Sequence, residues 1–250
     1  MTYGALADVY DRFTDDFDYD AWTKWYLQLV REIQPSVRDI CDCGCGTGSI
    51  AVRLARAGCR VTGIDLSEDM LRAASDKARA WGVKILFARQ DMRTLALPRS
   101  ADALICACDG VNYLTEPGAV RRFFESAHRA VKPGGAFAFD VSNLEKLKKM
   151  GEDCLYGDDR EDETYLWMNE FDAEKRLLRM RLSFFVREGD GRYRKFEETH
   201  LQRAHLTEEL RAWLELAGFT DIHIYGSDTG ESPGPGGKRA YFACRRPTES

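Results

Sequence analysis

The spacing of apolar residues along the first 141 positions predicts alternating strands and helices. Apolar side chains recur at helical spacing in four segments, and short apolar runs separate them. Pro35 and Gly58 end the first two helices, and Ser67 is placed to cap a third that reaches Trp81. The other predicted helices cover 20–33, 47–57 and 117–128, and the predicted strands cover 37–43, 59–65, 83–88, 101–108 and 136–141.

The pattern changes after residue 141. The acidic, glycine-containing segment 151–163 is predicted to be a loop. Three strand-like runs follow it, at 165–171, 176–187 and 193–205, and the Asp190-Gly191 pair between the last two is a strong hairpin signal. The remaining predicted elements are a helix at 208–217, strands at 221–225 and 239–245, and a loop rich in glycine and proline at 230–237.

This order of elements predicts the fold class. Strict alternation of strand and helix is typical of a parallel sheet with right-handed crossovers. The prediction is an α/β fold with a doubly wound, mostly parallel seven-stranded sheet and an inserted small antiparallel β subdomain. We expect four parts: an N-terminal helical segment at 1–36, an α/β core at 37–145, the inserted subdomain at 146–205 and a return to the core at 206–250.

Charge and composition narrow the classes of partner. The 250 residues carry a net charge of −5, so no broad basic surface is predicted and nucleic acid is disfavoured as a partner. No window approaches the ~20 apolar residues of a membrane span, and residues 1–10 lack the features of an export signal. We therefore expect a cytoplasmic protein without membrane contact, as a monomer or a homodimer.

The cysteines favour the same compartment. Cys41, Cys43 and Cys45 alternate along the chain, as do Cys106 and Cys108, and neither set has C-x-x-C spacing or a histidine nearby in sequence. We expect buried, reduced thiols that behave as small apolar groups, and no metal site.

Candidate functional residues follow the carboxyl ends of the predicted strands, where open α/β sheets bind ligands. The run 42–48, Asp-Cys-Gly-Cys-Gly-Thr-Gly, follows the first strand, and its glycines let the backbone approach a ligand at a helix N-terminus. Asp65 ends the second strand, about 20 residues later, where a carboxylate can accept both hydroxyls of a ribose. The third strand is followed by Asp91 and Met92, and the fourth by Asp109, Asn112 and Tyr113.

Two cofactor classes fit the glycine run and Asp65. A nicotinamide dinucleotide site needs G-x-G-x-x-G, but Ser49 stands at the last position of that pattern. The spacing here is G-x-G-x-G after Asp42, which resembles the first motif of class I S-adenosylmethionine-dependent methyltransferases. Three further segments are similar to the other motifs of that superfamily: Gly63-Ile64-Asp65-Leu66-Ser67-x-x-Met70, Gln90-Asp91-Met92 and Lys132-Pro133-Gly134-Gly135.

The resemblance extends beyond the core motifs. The N-terminal Tyr3-Gly4-x-x-Ala7-x-x-Tyr10-Asp11, the segment 109–113 and the segment 196–200 look like two groups within the superfamily. One group is the YqeM-like small methyltransferases, and the other is the sugar-amine N-methyltransferases. Both carry a β-rich insertion late in the chain. The resemblance therefore implies that the N-terminal segment forms a lid over the cofactor-binding core and that the insertion shapes the acceptor site.

The resemblance also implies roles for individual residues. Asp42 would bind the ammonium of S-adenosylmethionine, Asp65 the ribose hydroxyls and Asp91 the adenine amine. The Met92 N–H would donate to the adenine ring, while the Leu66 and Met92 side chains would cover its faces or belong to the core. The expected cofactor-binding residues are Tyr10, Asp42, Gly44, Cys45, Gly46, Gly48, Asp65, Leu66, Met70, Asp91, Met92 and Asp109, and the expected catalytic residues are Tyr3, Asn112, Tyr113 and His200.

The resemblance implies methyl transfer to a small-molecule acceptor, with S-adenosylhomocysteine as product and N-methylation favoured over O-methylation. A histidine is common in sugar-amine enzymes where this chain has Tyr113. A phenol is a poor base near neutral pH, so Tyr113 is expected to orient the acceptor. His200 either faces the acceptor pocket or is a half-exposed cross-strand residue. The alternatives are an RNA base-modifying methyltransferase and a nucleotide-binding module without catalysis.

Overall fold

The computed structural model describes residues 10–12, 17–226 and 238–248. We number its helices α1 to α6 and its strands β1 to β11 along the chain. The helices are α1 Tyr19–Ile33, α2 Ser49–Arg56, α3 Glu68–Ala80, α4 Ala119–Ala130, α5 Leu144–Glu152 and α6 Thr207–Leu216. The strands are β1 Asp39–Cys43, β2 Arg60–Asp65, β3 Ile85–Arg89, β4 Ala101–Cys106, β5 Val131–Ser142, β6 Leu155–Asp159, β7 Glu163–Asp172, β8 Leu177–Arg187, β9 Tyr193–Arg203, β10 Thr220–Gly226 and β11 Arg239–Arg245.

The main sheet has seven strands in the order β10-β11-β5-β4-β1-β2-β3. Strands β1 to β5 pair in parallel, while β11 pairs antiparallel with both β5 and β10. The predicted mostly parallel seven-stranded sheet is therefore confirmed. The strand order reverses between β1 and β4, and such a reversal opens a crevice at the carboxyl ends of those strands.

Helices cover both faces of this sheet. Along β5 the side chains alternate, so that Phe137 and Phe139 pack against α4 and α6 on one face, while Ala136 and Ala138 leave room for α1 and α2 on the other. Both faces of the strand are thus buried, which is typical of a central strand in a parallel sheet. In the part of the chain that is described, no helix combines the length and the apolar character needed to cross a membrane.

The second sheet is antiparallel, with the order β6-β7-β8-β9, and the chain enters it after α5 and leaves it before α6. The predicted hairpin joins β8 to β9, with Gly191 at a φ of +84° that suits glycine. The loop predicted over 151–163 is wrong in part, because β6 lies within it and pairs with β7. This edge strand is mostly exposed, so its sequence lacks the apolar alternation of a half-buried strand.

Strand β4 is shorter than the predicted 101–108. Cys108 and Asp109 have φ values of +59° and +67°, so the chain turns sharply out of the sheet before residues 110–113 form one 3₁₀ turn. Left-handed backbone at non-glycine residues is uncommon and concentrates at functional sites. The predicted loop 230–237 and Tyr3 lie outside the described residues.

Candidate functional site

The glycine run forms a tight left-handed turn between β1 and α2. Gly44, Gly46 and Gly48 have φ values of +75°, +52° and +76°, and the N–H groups of Gly44 and Cys45 both donate to the Ile64 carbonyl of β2. A Cβ added at Gly48 would meet Ala74 of α3 at 2.9 Å, so that glycine permits close helix packing. A Cβ at Gly46 would meet nothing within 4 Å among the described atoms. Gly46 therefore borders open space in the crevice.

Asp65, at the end of β2, joins this turn to the next helix. One carboxylate oxygen accepts the Gly46 N–H at 2.9 Å, and the other accepts the Ser67 N–H at 2.9 Å. Burial raises the pKa of Asp65, and the N–H groups of Ser67 and Gly46 oppose that rise. Each carboxylate oxygen can accept a second hydrogen bond. Two hydroxyl donors at this position would find acceptors already oriented by the backbone.

Asp42 is a buried carboxyl group beneath the same turn. Its residue is 2% exposed, and its Oδ2 has no hydrogen-bond partner among the described atoms. Burial, and then the nearby charge of Asp65, raise the pKa of Asp42 to about 7. Two carboxyl groups in one crevice, one of them incompletely satisfied, favour a cationic ligand because a cation offsets the cost of burying them. An ammonium or a sulfonium meets that requirement.

Exposed and half-buried apolar groups flank the turn. Leu66, next to Asp65, is 60% exposed, so it is not a core residue and its side chain is available to a planar ligand. The Met92 Cε lies 3.6 Å from the place that a Cβ at Gly44 would occupy, at the edge of the same space. Met70 is 2% exposed and packs in the core. Its side chain therefore supports α3, the helix that Ser67 caps, and does not line the crevice.

Asp91 has a partner that the sequence did not reveal. Its two carboxylate oxygens share the Nε–H of Arg93, each at 3.0 Å, and one of them also accepts a hydrogen bond from Nη2 at 2.6 Å. These hydrogen bonds hold the pKa of Asp91 below its ordinary value. An adenine amine at this position would share the carboxylate with Arg93, so the expected contact remains a prediction.

The turn after β4 brings three polar side chains together at the strand-order reversal. The Tyr113 hydroxyl lies 3.3 Å from His200 Nδ1, and His200 Nε2 lies 3.3 Å from a carboxylate oxygen of Glu198. The side chains of His200 and Glu198 are 3% and 7% exposed. His200 is therefore a buried residue that faces Tyr113, not a half-exposed one. Both His200 and Glu198 belong to β9, so the inserted sheet supplies one wall of the site.

Asn112 and Asp109, expected at the ligand, belong to the scaffold beneath it. Asn112 is 0% exposed, and its amide donates to the carbonyls of Ser142 and Arg203 while its oxygen accepts the Ser142 N–H. These bonds use both N–H donors of the amide and one acceptor site of its oxygen, so the side chain anchors the turn instead of facing the ligand. The Asp109 carboxylate is bound by Arg239 and by Ser142.

Arg239 explains how two carboxylates are buried together. Its guanidinium binds Asp109 and also Asp140, which is 0% exposed and accepts the Tyr26 hydroxyl at 2.5 Å. Burial alone would raise the pKa of Asp109, but Arg239 lowers it to about 2. The guanidinium also lies over the Trp22 ring, 5.0 Å from its centroid. The cluster joins β11, β5, α1 and the turn after β4.

The N-terminal residues add contacts that the sequence did not predict. Burial raises the pKa of Tyr10, and the influence of Tyr113 and Asp109 on it shows that the phenol lies near them. Asp11 accepts the Thr47 hydroxyl at 2.7 Å and pairs with Lys77 of α3 at 2.7 Å. No sequence pattern pairs Asp11 with Lys77, because the contact depends on how α3 packs beside the glycine turn.

Comparisons with known proteins agree with this geometry. Residues 40–135 match a family model described as a methyltransferase domain. The chain is 36% identical over 247 residues to YqeM of Bacillus subtilis (strain 168), named a putative methyltransferase, and the match covers 98% of each protein. A solved S-adenosylmethionine-dependent methyltransferase from Clostridium acetobutylicum ATCC 824 is 27% identical with a TM-score of 0.85, over 98% of this chain and 99% of that chain.

A second solved structure is similar in fold. The sugar N-methyltransferase KedS8 from Streptoalloteichus sp. ATCC 53650 has a TM-score of 0.76 at 22% identity, over 95% of this chain and 92% of that chain. Since both coverages are near complete, the inserted antiparallel sheet falls within the shared fold.

Proposed function

Because the chain belongs to the YqeM-like family of S-adenosylmethionine-dependent methyltransferases, we propose that it transfers a methyl group to an amine of a small molecule. The observation that carries the proposal is the contact between the half-buried Tyr113 and the buried His200, which lies at the same edge of the main sheet as Asp42 and Asp65. A phenol backed by an imidazole suits an acceptor that carries protons on nitrogen.

The cofactor-binding residues follow from the chemistry of the ligand. In this proposal the unsatisfied Asp42 carboxyl faces the ammonium, Asp65 accepts the ribose hydroxyls and the backbone at Gly46 approaches the sulfur. Leu66 and Met92 cover the adenine, and Asp91 receives its amine alongside Arg93. S-adenosylmethionine supplies a methyl group that its positive sulfur already activates. The protein must then bring the acceptor nitrogen in line and exclude water, which together can contribute ~7–11 kcal/mol.

An acceptor amine has to be neutral to act as a nucleophile. The inserted sheet contributes the buried side chains of His200 and Glu198 to the site, which supports a small molecule over an exposed base of folded RNA. The structural neighbour KedS8 is an N-methyltransferase of sugars by its name, which supports an amine of that size. We propose the same four-part division of the chain that the sequence predicts, except that α1, within residues 1–36, packs against the main sheet and is not part of a lid.

An activity screen tests the proposal. The protein is incubated with S-adenosylmethionine and separate panels of primary amines, including amino sugars and their nucleotide-linked forms, carboxylates, phenols and unmodified transfer RNA. We expect S-adenosylhomocysteine and a product heavier by one CH2 unit with amines alone, because a methyl group replaces a proton on nitrogen. Turnover restricted to carboxylates or phenols would replace the proposal with O-methylation, and turnover restricted to RNA would replace it with RNA modification.

A further inference from the structure

Glu198 and His200 lie two residues apart on β9, so their side chains project from the same face of that strand. The face is the buried one: Met180 and Leu182 of β8 stand opposite His200 and Glu198 in the strand register. Glu197, one position away, projects from the other face, where its side chain is 62% exposed and pairs with Lys195. Burying a carboxylate among apolar groups costs free energy unless the carboxylate is paired or hydrogen-bonded.

We infer the direction of the hydrogen bonds from the charge beside the imidazole. The Glu198 carboxylate lies 3.3 Å from Nε2 as an ion-pair contact, and its negative charge favours the neutral imidazole that carries its proton on Nε2. The other nitrogen, Nδ1, then has a lone pair and accepts the Tyr113 hydroxyl at 3.3 Å. The two rings meet edge to face, with centroids 5.9 Å apart. Glu198, His200 and Tyr113 thus form one directed chain that ends at the crevice.

We propose that this chain removes the proton of the acceptor ammonium, with Tyr113 as the group that touches the acceptor, His200 as the final proton acceptor and Glu198 as its positioning residue. The proton on the acceptor nitrogen moves to the Tyr113 oxygen as the Tyr113 hydroxyl proton moves to His200 Nδ1. The imidazolium that forms faces the Glu198 carboxylate, which stabilises it. This inference rests on the proposed amine acceptor.

The subsequent transfer step balances without another reactant. The freed nitrogen lone pair forms the new C–N bond, the C–S bond of the cofactor breaks and its electron pair stays on sulfur. A phenol alone is a poor base at neutral pH, whereas an imidazole behind it has the proton affinity for this task. This arrangement explains why a tyrosine, which is a weak base, can touch the acceptor. The basic group is His200, which the inserted sheet places directly behind Tyr113.

Nitrogen NMR of the cofactor-free protein tests the chain without any acceptor. The protein has four histidines, and with ¹⁵N-labelled histidine the His200→Gln variant assigns the His200 signals. We expect His200 in the Nε2–H form, and we expect Tyr113→Phe to change its Nδ1 shift by several parts per million. A His200 that carries its neutral proton on Nδ1 would overturn the proposal, even if no amine is ever found to be methylated.

Kinetics with the best amine of the screen give the second test. We expect Glu198→Gln to lower kcat at least tenfold, with KM for the amine and Kd for S-adenosylhomocysteine unchanged within threefold. The split between a lowered kcat and an unchanged KM separates a positioning role from a merely structural one. Glu197→Gln is the matched control and should retain the wild-type kcat. An unchanged kcat in Glu198→Gln would refute the proton route while leaving amine methylation intact.

Discussion

Asp42 carries a conflict between stability and ligand binding at the scale of a single residue. Its pKa of about 7 in the folded chain lies above that of an unfolded carboxyl. Its contribution to stability is thus fully present below the unfolded pKa and is lost as pH rises through 7, where the folded state must bury a charge. A cationic ligand offsets the cost of burying the Asp42 charge, so its binding below pH 7 would release a proton from Asp42.

We expect Asp42→Asn to raise the melting temperature of the cofactor-free protein at pH 8 by a few degrees, since ~1 kcal/mol corresponds to about 2–4 °C in a chain of this size. The same variant should bind S-adenosylmethionine at least tenfold more weakly at pH 7. Wild-type affinity should increase from pH 5.5 to pH 7, and that of the variant should not. Calorimetric titration measures both, and a pH-independent wild-type Kd would contradict the account.

Residue types were predictable from the sequence, but their burial was not. The sequence identified Asp65, Tyr113 and His200 as polar groups at strand ends or on the insertion, and the structure brings Tyr113 and His200 into contact. It could not separate Asn112, which is fully buried in the scaffold, from neighbours that line the crevice. That distinction depends on partners 30 and 91 residues away along the chain.

At the scale of elements, the first turn of α2 is clamped from two sides. Lys77 of α3 donates to Thr47 at 3.0 Å and to Ser49 at 2.5 Å, and it pairs with Asp11 from the N-terminal residues. Arg12 continues toward the inserted sheet, where it pairs with Glu163 at 2.7 Å. Residues 10–12 therefore connect the glycine turn to the second sheet.

We expect Lys77→Met to weaken binding of S-adenosylhomocysteine five- to tenfold, because losing charge-assisted hydrogen bonds costs ~1–1.4 kcal/mol and loosens the turn. Hydrogen exchange of the amides at 47–52 should accelerate in parallel. Arg79→Met is the control, since that side chain is 79% exposed and pairs only on the surface with Asp76 among the contacts described. Equal affinities for Lys77→Met and the wild type would show that the clamp does not support the cofactor turn.

Element types were largely predictable because their patterns are local. Four of the five parallel strands were found within two residues of their observed ends, whereas β5 begins five residues before its predicted start and β6 was missed. An edge strand in which four of five residues are exposed is specified by pairing with its neighbour, and a sequence window does not contain that information. The early end of β4 escaped prediction for a related reason, since Cys108 and Asp109 adopt a backbone that their residue types disfavour.

At the scale of the whole molecule, Arg239 connects the end of the chain to its beginning. Its partners lie on β5, on the turn after β4 and, through the Trp22 ring, on α1. We expect Arg239→Met to destabilise the protein by ~3–5 kcal/mol in urea unfolding, because it leaves two buried carboxylates without their cation. Arg245→Met removes a partly exposed pair with Asp221 and should cost less than ~1 kcal/mol.

The overall architecture and the glycine turn beside Asp65 could be predicted because they depend on short motifs in a fixed order. The contact between Tyr113 and His200 could not, because β9 meets the turn after β4 only when the two sheets pack together. Arg239 illustrates the same limit, since its carboxylate partners lie 99 and 130 residues away.

Calorimetric titration with S-adenosylhomocysteine of the wild type, Asp65→Ala and Tyr113→Phe tests the central claim most directly. We predict micromolar or tighter binding to the wild type, no detectable binding to folded Asp65→Ala and wild-type affinity for Tyr113→Phe, since ~4 kcal/mol separates micromolar from millimolar Kd. NAD should give no heat. Wild-type affinity in Asp65→Ala, or its loss in Tyr113→Phe, would contradict the assignment of the glycine turn and Asp65 to the cofactor and of Tyr113 to the acceptor.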